Sequence, residues 1–541
     1  MRRISLICLI GILVISACIP KTVSPVLTVS VENTSTVVKT STNIPTVTIA
    51  PTTPVMSTPA NYPSDLGDHA VFTYFFYWYD TETKTHLGPH GPSLTDDPLT
   101  DEPPDTPAIT WRGTAWFKNQ IEDMIYAGVD VILPVYWRGE CCEWWSRPGI
   151  NNLATALEEV RLSGKTPPAV AMFYDLTSAE DLDLTNKADQ DIIYQDISFF
   201  YKSIPHAYWA RTSDNRPIIW LWSGVEKYKS SFFNFITEDF KNEFSEIPFI
   251  VFGNVSVSND PEEELKGYDA LAPWNGQNPD SSSKQIFAIS PGMDDRWILS
   301  RGNTTFIDRQ NGDYYRQGWA KAILCKTPWV TIETWNEFHE ATDIAETKQY
   351  GRKYLDITHE LSPYFKQGIL PDNLRLTSEY SGKNSVDILM EDPIKEDGIN
   401  ILPSMGDGRY EAVTESGQSG VRMQFNDPNA GGYLYFMVDD GFYFNQHQKI
   451  EVNVTYFDEG YGQISLEYDK ADCASDWNPD AMFALGGIIQ RGNTKTWKTA
   501  TIVLSDATFV GHENGGADFR LGANNGQPAL ISSVQITKVQ E

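Results

Sequence analysis

The chain has 541 residues and a formal net charge of −30, with 12% aromatic residues and 16 tryptophans. Lysine and arginine are outnumbered and form no clustered run, which argues against nucleic acid or anionic lipid as a partner. An acidic, tryptophan-rich chain suits a neutral ligand, and sugar is the commonest of these.

The first residues carry the expectation for compartment. Arg2 and Arg3 precede an apolar run from Ile4 to Ile15, which leads into Ile15-Ser16-Ala17-Cys18, the pattern of an export signal ending at a cysteine. It resembles a bacterial lipobox, so residues 1–18 are expected to be a lipoprotein signal with Cys18 lipidated. The run is about 12 residues long, short of the roughly 20 that a spanning helix needs. Attachment to the membrane is therefore expected through the lipid alone, with the protein exported to the bacterial cell surface. Residues 19–63 are dominated by Thr, Ser, Val and Pro and read as a disordered tether, because they hold too little apolar surface to bury a core.

The remaining length, roughly 480 residues, exceeds one ordinary core and predicts at least two domains. Over residues 64–372, strands are predicted at Val71–Tyr77, Val129–Tyr136, Ala169–Phe173, Pro217–Trp222, Pro248–Gly253, Ala270–Pro273, Ile286–Ser290 and Trp329–Thr334. Helices are predicted at Ala115–Ala127, Asn152–Ser163, Asp189–Ile204, Ser231–Phe244, Asp313–Lys326 and Thr347–Ser362. Apolar strands alternating with helices predict a (β/α)8 barrel of the TIM type, and unbroken runs such as Val131-Ile132-Leu133 suit parallel strands covered on both faces. From 377 to 541 the pattern turns to short alternating strands with Gly, Asn and Asp turns, as in Lys449 to Tyr456. This predicts an all-β, jelly-roll-like sandwich, for which carbohydrate binding and a purely structural role are both open.

Cys141, Cys142, Cys325 and Cys473 show no zinc-ribbon or redox spacing, and the adjacent Cys141 and Cys142 are read either as a vicinal disulfide or as two buried thiols. No cofactor is implied for the barrel. In the sandwich, Asp518, Asn514 and Asp439 are candidates for calcium, against the ordinary service of such residues in β-turns.

The stretch richest in chemistry is Trp335-Asn336-Glu337-Phe338-His339-Glu340, placed directly after the last predicted strand. In such a barrel, catalytic groups stand on loops at the C-terminal strand ends. On one helical turn the two glutamates, three residues apart, would share a face. Paired carboxylates are what glycosidic cleavage needs, one to protonate the leaving oxygen and one to uncover a nucleophile. The plain alternative is a solvated acid pair at a helix start. On a helical turn His339 would point away from both acids, so it is expected to pack or to orient a neighbour. Asn336 is a candidate for a sugar hydroxyl or for a helix cap. Asp294, Asp295 and Arg296, after the seventh strand, are candidates for sugar hydroxyls or for a structural Asp-Arg pair. Trp335 is a further candidate contact, and Tyr77, Trp78, Tyr79 and Trp137 are candidates for stacking on sugar rings or for the core.

Two segments together, Ile289-Ser290-Pro291-Gly292-Met293-Asp294-Asp295-Arg296 and Trp335 to Ile344, resemble glycoside hydrolase family 99, the endo-α-mannosidase and endo-α-mannanase family. The likeness runs continuously over about residues 286–346. It implies an α-linked polysaccharide or glycan as substrate, with Glu337 as base and Glu340 as acid. In that family the base takes the proton of the sugar 2-hydroxyl, a 1,2-anhydro sugar forms, and configuration is retained. The chain departs from the pattern at Ala341, where the family carries Gly, and at the third and fourth strand ends, Met172 to Asp175 and Trp220 to Ser223. These departures leave the sugar open and keep two alternatives in view: a surface glycan-binding protein without turnover, and an α-1,3-glucanase-like enzyme of a neighbouring barrel family.

Overall fold

The computed structural model describes residues 66–88, 97–222, 233–253, 269–272, 286–299, 301, 304–372, 374, 376–404, 406–425, 431–473, 479–523 and 527–539. The expected export signal, Cys18 and the tether lie outside these residues. No helix among the described residues is long and apolar enough to cross a membrane.

Each of the predicted strands in the first part of the chain is present. They are β1 (Ala70–Phe75), β2 (Val131–Tyr136), a third strand in two pieces, β3 (Ala169–Val170) and β4 (Met172–Asp175), then β5 (Ile218–Trp222), β6 (Phe249–Gly253), β7 (Ala270–Ala272) and β8 (Ile286–Ile289). A short antiparallel pair, β9 (Met293–Asp294) and β10 (Phe306–Ile307), follows β8, and β11 (Trp329–Ile332) is the last strand of the sheet. The order across the sheet is β7-β6-β5-β4-β2-β1-β11-β8 with β3 beside β2, and every pair is parallel. All residues of β1, β2, β8 and β11 are buried, as a sheet covered on both faces requires.

This is the order of a TIM-like ring read from one seam to the other. β7 and β8, consecutive in the chain, stand at its two ends, with Cα atoms within 8 Å of each other but no hydrogen-bonded ladder among the described residues. The described sheet is thus a TIM-like parallel sheet, short of a closed ring of eight strands.

The helices fall where the periodicity put them, with two shifted boundaries. The helix expected from Asn152 begins at Glu143 and takes in Pro148, whose missing N–H costs one hydrogen bond without ending the helix. The one expected from Thr347 runs instead over Lys353–Gln367, because Thr347 and Gly351 first close a turn, Gly351 N donating to Thr347 O at 2.8 Å. The adjacent Cys141 and Cys142 are joined as a disulfide just ahead of the first of these helices.

The C-terminal part is all-β apart from short turns of helix, in two antiparallel sheets of seven and five strands. One core lies between them, with Ile388, Val452 and Val534 from the first sheet and Leu434, Phe436 and Leu521 from the second. A disulfide between Cys325 and Cys473 and an ion pair between Lys321 and Asp440 tie this part to the helix Asp313–Leu324. Phe444 and Val510 continue the burial into the core of the parallel-sheet part.

Candidate active site

The loop 333–346 leaves the C-terminal end of β11, and long-range bonds set its shape. Trp335 N donates to Tyr74 O at 2.9 Å, Thr334 N to Thr342 O at 2.7 Å, and Ala345 N to Trp335 O at 2.8 Å. The helical turn expected for the two glutamates is therefore absent, and the loop doubles back on itself. Ala341, just after the second acid, holds a φ of +48°. Left-handed backbone favours glycine, the residue that the resembled family carries there.

Glu337 is buried and anchored at its own backbone, its N–H donating to Thr334 Oγ1 at 2.8 Å. Its Oε1 accepts from His339 N at 3.2 Å and lies 2.9 Å from His339 Nδ1. Its Oε2 is buried with no protein partner. His339 thus faces Glu337, contrary to the expectation from a helical turn, because the loop turns its ring back. The ring stacks on Tyr79 at 5.8 Å and meets His86 edge-on at 6.3 Å. Burial, followed by the neighbouring His339, pulls His86 down to about 3, so it faces the site as a neutral imidazole.

Glu340 binds Arg301, whose second terminal nitrogen donates to Asp295 Oδ2 at 2.6 Å. Burial raises the proton affinity of Glu340 above the usual carboxylate range; Arg301 opposes this and the charge of Glu337 adds to it. The backbone reinforces the same joint, Asp294 N donating to Glu340 O at 2.7 Å. Gly292, in the Pro-Gly-Met-Asp-Asp segment, lets the chain pass close to Ile307 and Arg309. It holds a φ of +143°, and a Cβ there would lie 2.6 Å from Arg309 Cγ and 2.8 Å from Ile307 O.

Behind the loop, Arg309 donates to Asp343 O and Ala341 O at 2.9 Å each and to Asp101 Oδ2 at 2.8 Å. Its guanidinium lies 4.5 Å from the rings of both Tyr350 and Tyr354. Buried with Asp101 on this one cation, Asp343 is pushed well above the usual carboxylate range, by desolvation first.

The residues singled out in the sequence divide between the site and its support. Trp335 is fully buried and donates its Nε1 to Gln120 at 2.8 Å. Asn336 uses its whole side chain on Phe76, accepting from its N–H at 2.8 Å and donating to its carbonyl at 2.6 Å. Tyr77 is buried with its hydroxyl on Ser146 O at 3.1 Å, and the Tyr79 hydroxyl donates to Asn336 O at 3.1 Å. Asn336 and Tyr79 thus hold the loop to the chain just past β1, while Trp335 and Tyr77 bond into the neighbouring helices. Asp294 and Arg296 form the expected pair, bridged at 2.7 and 2.8 Å, and face outward over Phe306. Asp295, one residue on, turns inward to Arg301.

Trp137, half-buried, donates its Nε1 to Asp175 Oδ2 at 2.7 Å and packs edge-on against Trp78 at 5.0 Å. Trp78 in turn stacks on His86 at 4.9 Å. A continuous wall thus runs from Asp175 at the end of β4 through Trp137, Trp78, His86 and His339 to Glu337. Burial lifts Asp175 to about 6 against the pull of its Thr177 and Trp137 bonds. Arg301, His86 and Arg309 were not singled out in the sequence, since key partners of each lie far along the chain and no local spacing marks them; Asp175 entered only as part of a strand end that departs from the resembled family.

In the sandwich, the three calcium candidates are spent separately. Asp518 accepts from Val438 N at 2.7 Å and Gly511 N at 3.0 Å, Asp439 from Phe442 N at 3.1 Å, and Asn514 donates to the Tyr435 hydroxyl at 3.1 Å. Among the described residues no group of three or more acids, histidines or cysteines is arranged to hold a metal ion.

A TIM-like parallel sheet with two glutamates, one buried and one largely shielded, on the loop after its last strand is the class of protein defined by this fold and site. Residues 72–379 match the family model described as a domain of unknown function, DUF5010, and the chain belongs to that family. Among solved structures it is similar to the GH99 endo-alpha-mannosidase from Bacteroides thetaiotaomicron, at 16% identity and a TM-score of 0.45, over 57% of this chain and 100% of that one. A glycoside hydrolase-like protein is similar at 14% identity and a TM-score of 0.41, over 57% of this chain and 96% of that one. The C-terminal CBM6 of the laminarinase LamC from Zobellia galactanivorans is similar at 17% identity and a TM-score of 0.18, over 29% of this chain and 100% of that one. No curated protein matches.

Proposed function

We propose that this protein is a retaining glycoside hydrolase of the cell surface that cuts within an α-linked polysaccharide such as mannan. The observation that carries the reading is the state of the two acids: Glu337 keeps one buried oxygen without a protein partner, and Glu340 beside it is biased by burial toward its protonated form. Cleavage needs that division, one carboxyl ionised and one neutral.

In this mechanism Glu337 Oε2 takes the proton of the sugar 2-hydroxyl as O2 attacks C1. The bond from C1 to the leaving oxygen breaks, and Glu340 gives that oxygen its proton. Water then opens the 1,2-anhydro sugar at C1, losing a proton to Glu340, while Glu337 returns its proton to O2. C1 inverts twice, so its configuration is kept. His339, with N–H groups on Glu337 Oε1, leaves Oε2 as the oxygen for the substrate. The wall of Trp78 and Trp137 offers apolar faces for sugar rings, and the sandwich is assigned glycan binding.

The same reading closes the parallel sheet into a (β/α)8 barrel between β7 and β8. It also exports the chain and anchors it through Cys18, in keeping with the two disulfides, which suit an oxidising compartment. A second reading, a glycan-binding protein without turnover, is favoured by the ion pair that occupies Glu340.

Turnover and binding measured on a panel of α-mannans and α-glucans separate these readings. The expected result is cleavage of one member by the wild type and a loss of about 100-fold to 10000-fold in Glu340→Ala. Equal rates in the two proteins would remove Glu340 as the acid, and binding without any product would support the second reading. Cleavage confined to α-1,3-glucan would move the enzyme to the neighbouring glucanase type.

A further inference from the structure

Arg301 is the one cation bonded to Glu340 among the described residues, and it is held from the far side by Asp295. The pair is well shielded, Arg301 and Glu340 being 15% and 13% exposed at their side chains, so solvent screens it weakly. The charged groups facing Glu340 are Arg301 and Asp295 from the loop after β8 and Glu337 from its own loop. His339 contacts Glu337 and His86 is neutral, so neither replaces the guanidinium. A cation on this carboxylate favours proton release to a leaving group and disfavours proton uptake from water.

We propose that Arg301, tethered by Asp295, is a positioning residue that sets the highest pH at which Glu340 still carries the proton it gives to the leaving oxygen. The inference rests on the glycosidase reading of Glu337 and Glu340. It assigns the segment after β8, and not the Glu337 loop alone, to the control of catalysis.

Removing the cation leaves Glu340 facing Glu337 and Asp295, two negative charges, so its proton affinity must rise. The test is the pH profile of kcat/KM for wild type, Arg301→Gln and Arg301→Lys on a glycan that the wild type cleaves. The expected result is an alkaline limb displaced upward by about 1 pH unit or more in Arg301→Gln and restored near the wild-type position in Arg301→Lys. A lower rate with an unmoved limb in Arg301→Gln would overturn the proposal and leave Arg301 a structural residue. Should no glycan be cleaved, infrared titration of the Glu340 carboxyl, assigned by difference from Glu340→Gln, reads the same displacement without turnover. Absence of that displacement in Arg301→Gln, with melting temperatures showing the variant folded, would overturn the inference independently of the activity.

Discussion

The sandwich and the loop after β11 both bury carboxylates, and they treat them in opposite ways. In the sandwich, Asp469 accepts from Ala471 N at 3.0 Å, His512 N at 3.2 Å and His512 Nδ1 at 2.9 Å. Asp458 accepts from Gly492 N at 2.6 Å, Asn493 N at 3.2 Å and Lys498 Nζ at 2.6 Å, and lies well below the usual carboxylate range. Both acids have their oxygens taken up by protein donors, which makes them parts of the framework. Glu337 has one oxygen without a protein partner, and the Glu340 carboxylate is held by Arg301. A buried acid kept short of donors costs stability, and a site that must exchange protons is where that cost has a return.

One sandwich residue breaks the pattern and makes it testable. Glu513 is buried with neither carboxylate oxygen paired, and desolvation holds it well above the usual range. The larger effect is expected in the framework behind the loop. Arg309→Met strands Asp101 and Asp343 without their shared cation and is expected to lower unfolding free energy by about 3 to 5 kcal/mol, read by urea denaturation. A change under about 1 kcal/mol would show that the acids behind the loop are no more framework than Glu337.

For Glu513 the sign is reversed. Its folded proton affinity exceeds the unfolded one, so the folded state holds the proton longer and stability falls as pH rises above the unfolded value of about 4.3. Glu513→Gln is therefore expected to stabilise the protein by about 1 to 3 kcal/mol at pH 7, with the gain vanishing toward pH 4 in thermal melts. A loss of stability at pH 7 would mean that Glu513 has an ionised role, and the contrast between the two regions would fail.

How far the sequence reached follows from where each determinant lies. Strands such as β2 and β11 were legible because a parallel strand covered on both faces needs an unbroken apolar run, and that is a local property. The helix start at Glu143 was not, since Pro148 and the adjacent cysteines look like breakers until packing outweighs them. The acid pair was legible from its spacing and its place after the last strand. Its geometry was not, because bonds to Tyr74, Phe76 and Thr342 override the local preference for a helical turn and swing His339 onto Glu337. Asn336, a candidate for a sugar hydroxyl or for a helix cap, and Trp335, a candidate contact, have their side-chain hydrogen-bonding atoms on Phe76 and Gln120. Arg301 carries no local signal at all, since it meets Glu340 only when the loops after β8 and β11 close together.

In the proposed reaction Glu337 and Glu340 cleave an α-glycoside through two inversions at one carbon. Proton NMR of the first-formed product, recorded before the free sugar mutarotates, reads that directly. The expected result is an initial α anomer from an α-linked glycan, absent in Glu340→Ala; a first-formed β anomer, or a product unchanged by the substitution, would contradict it.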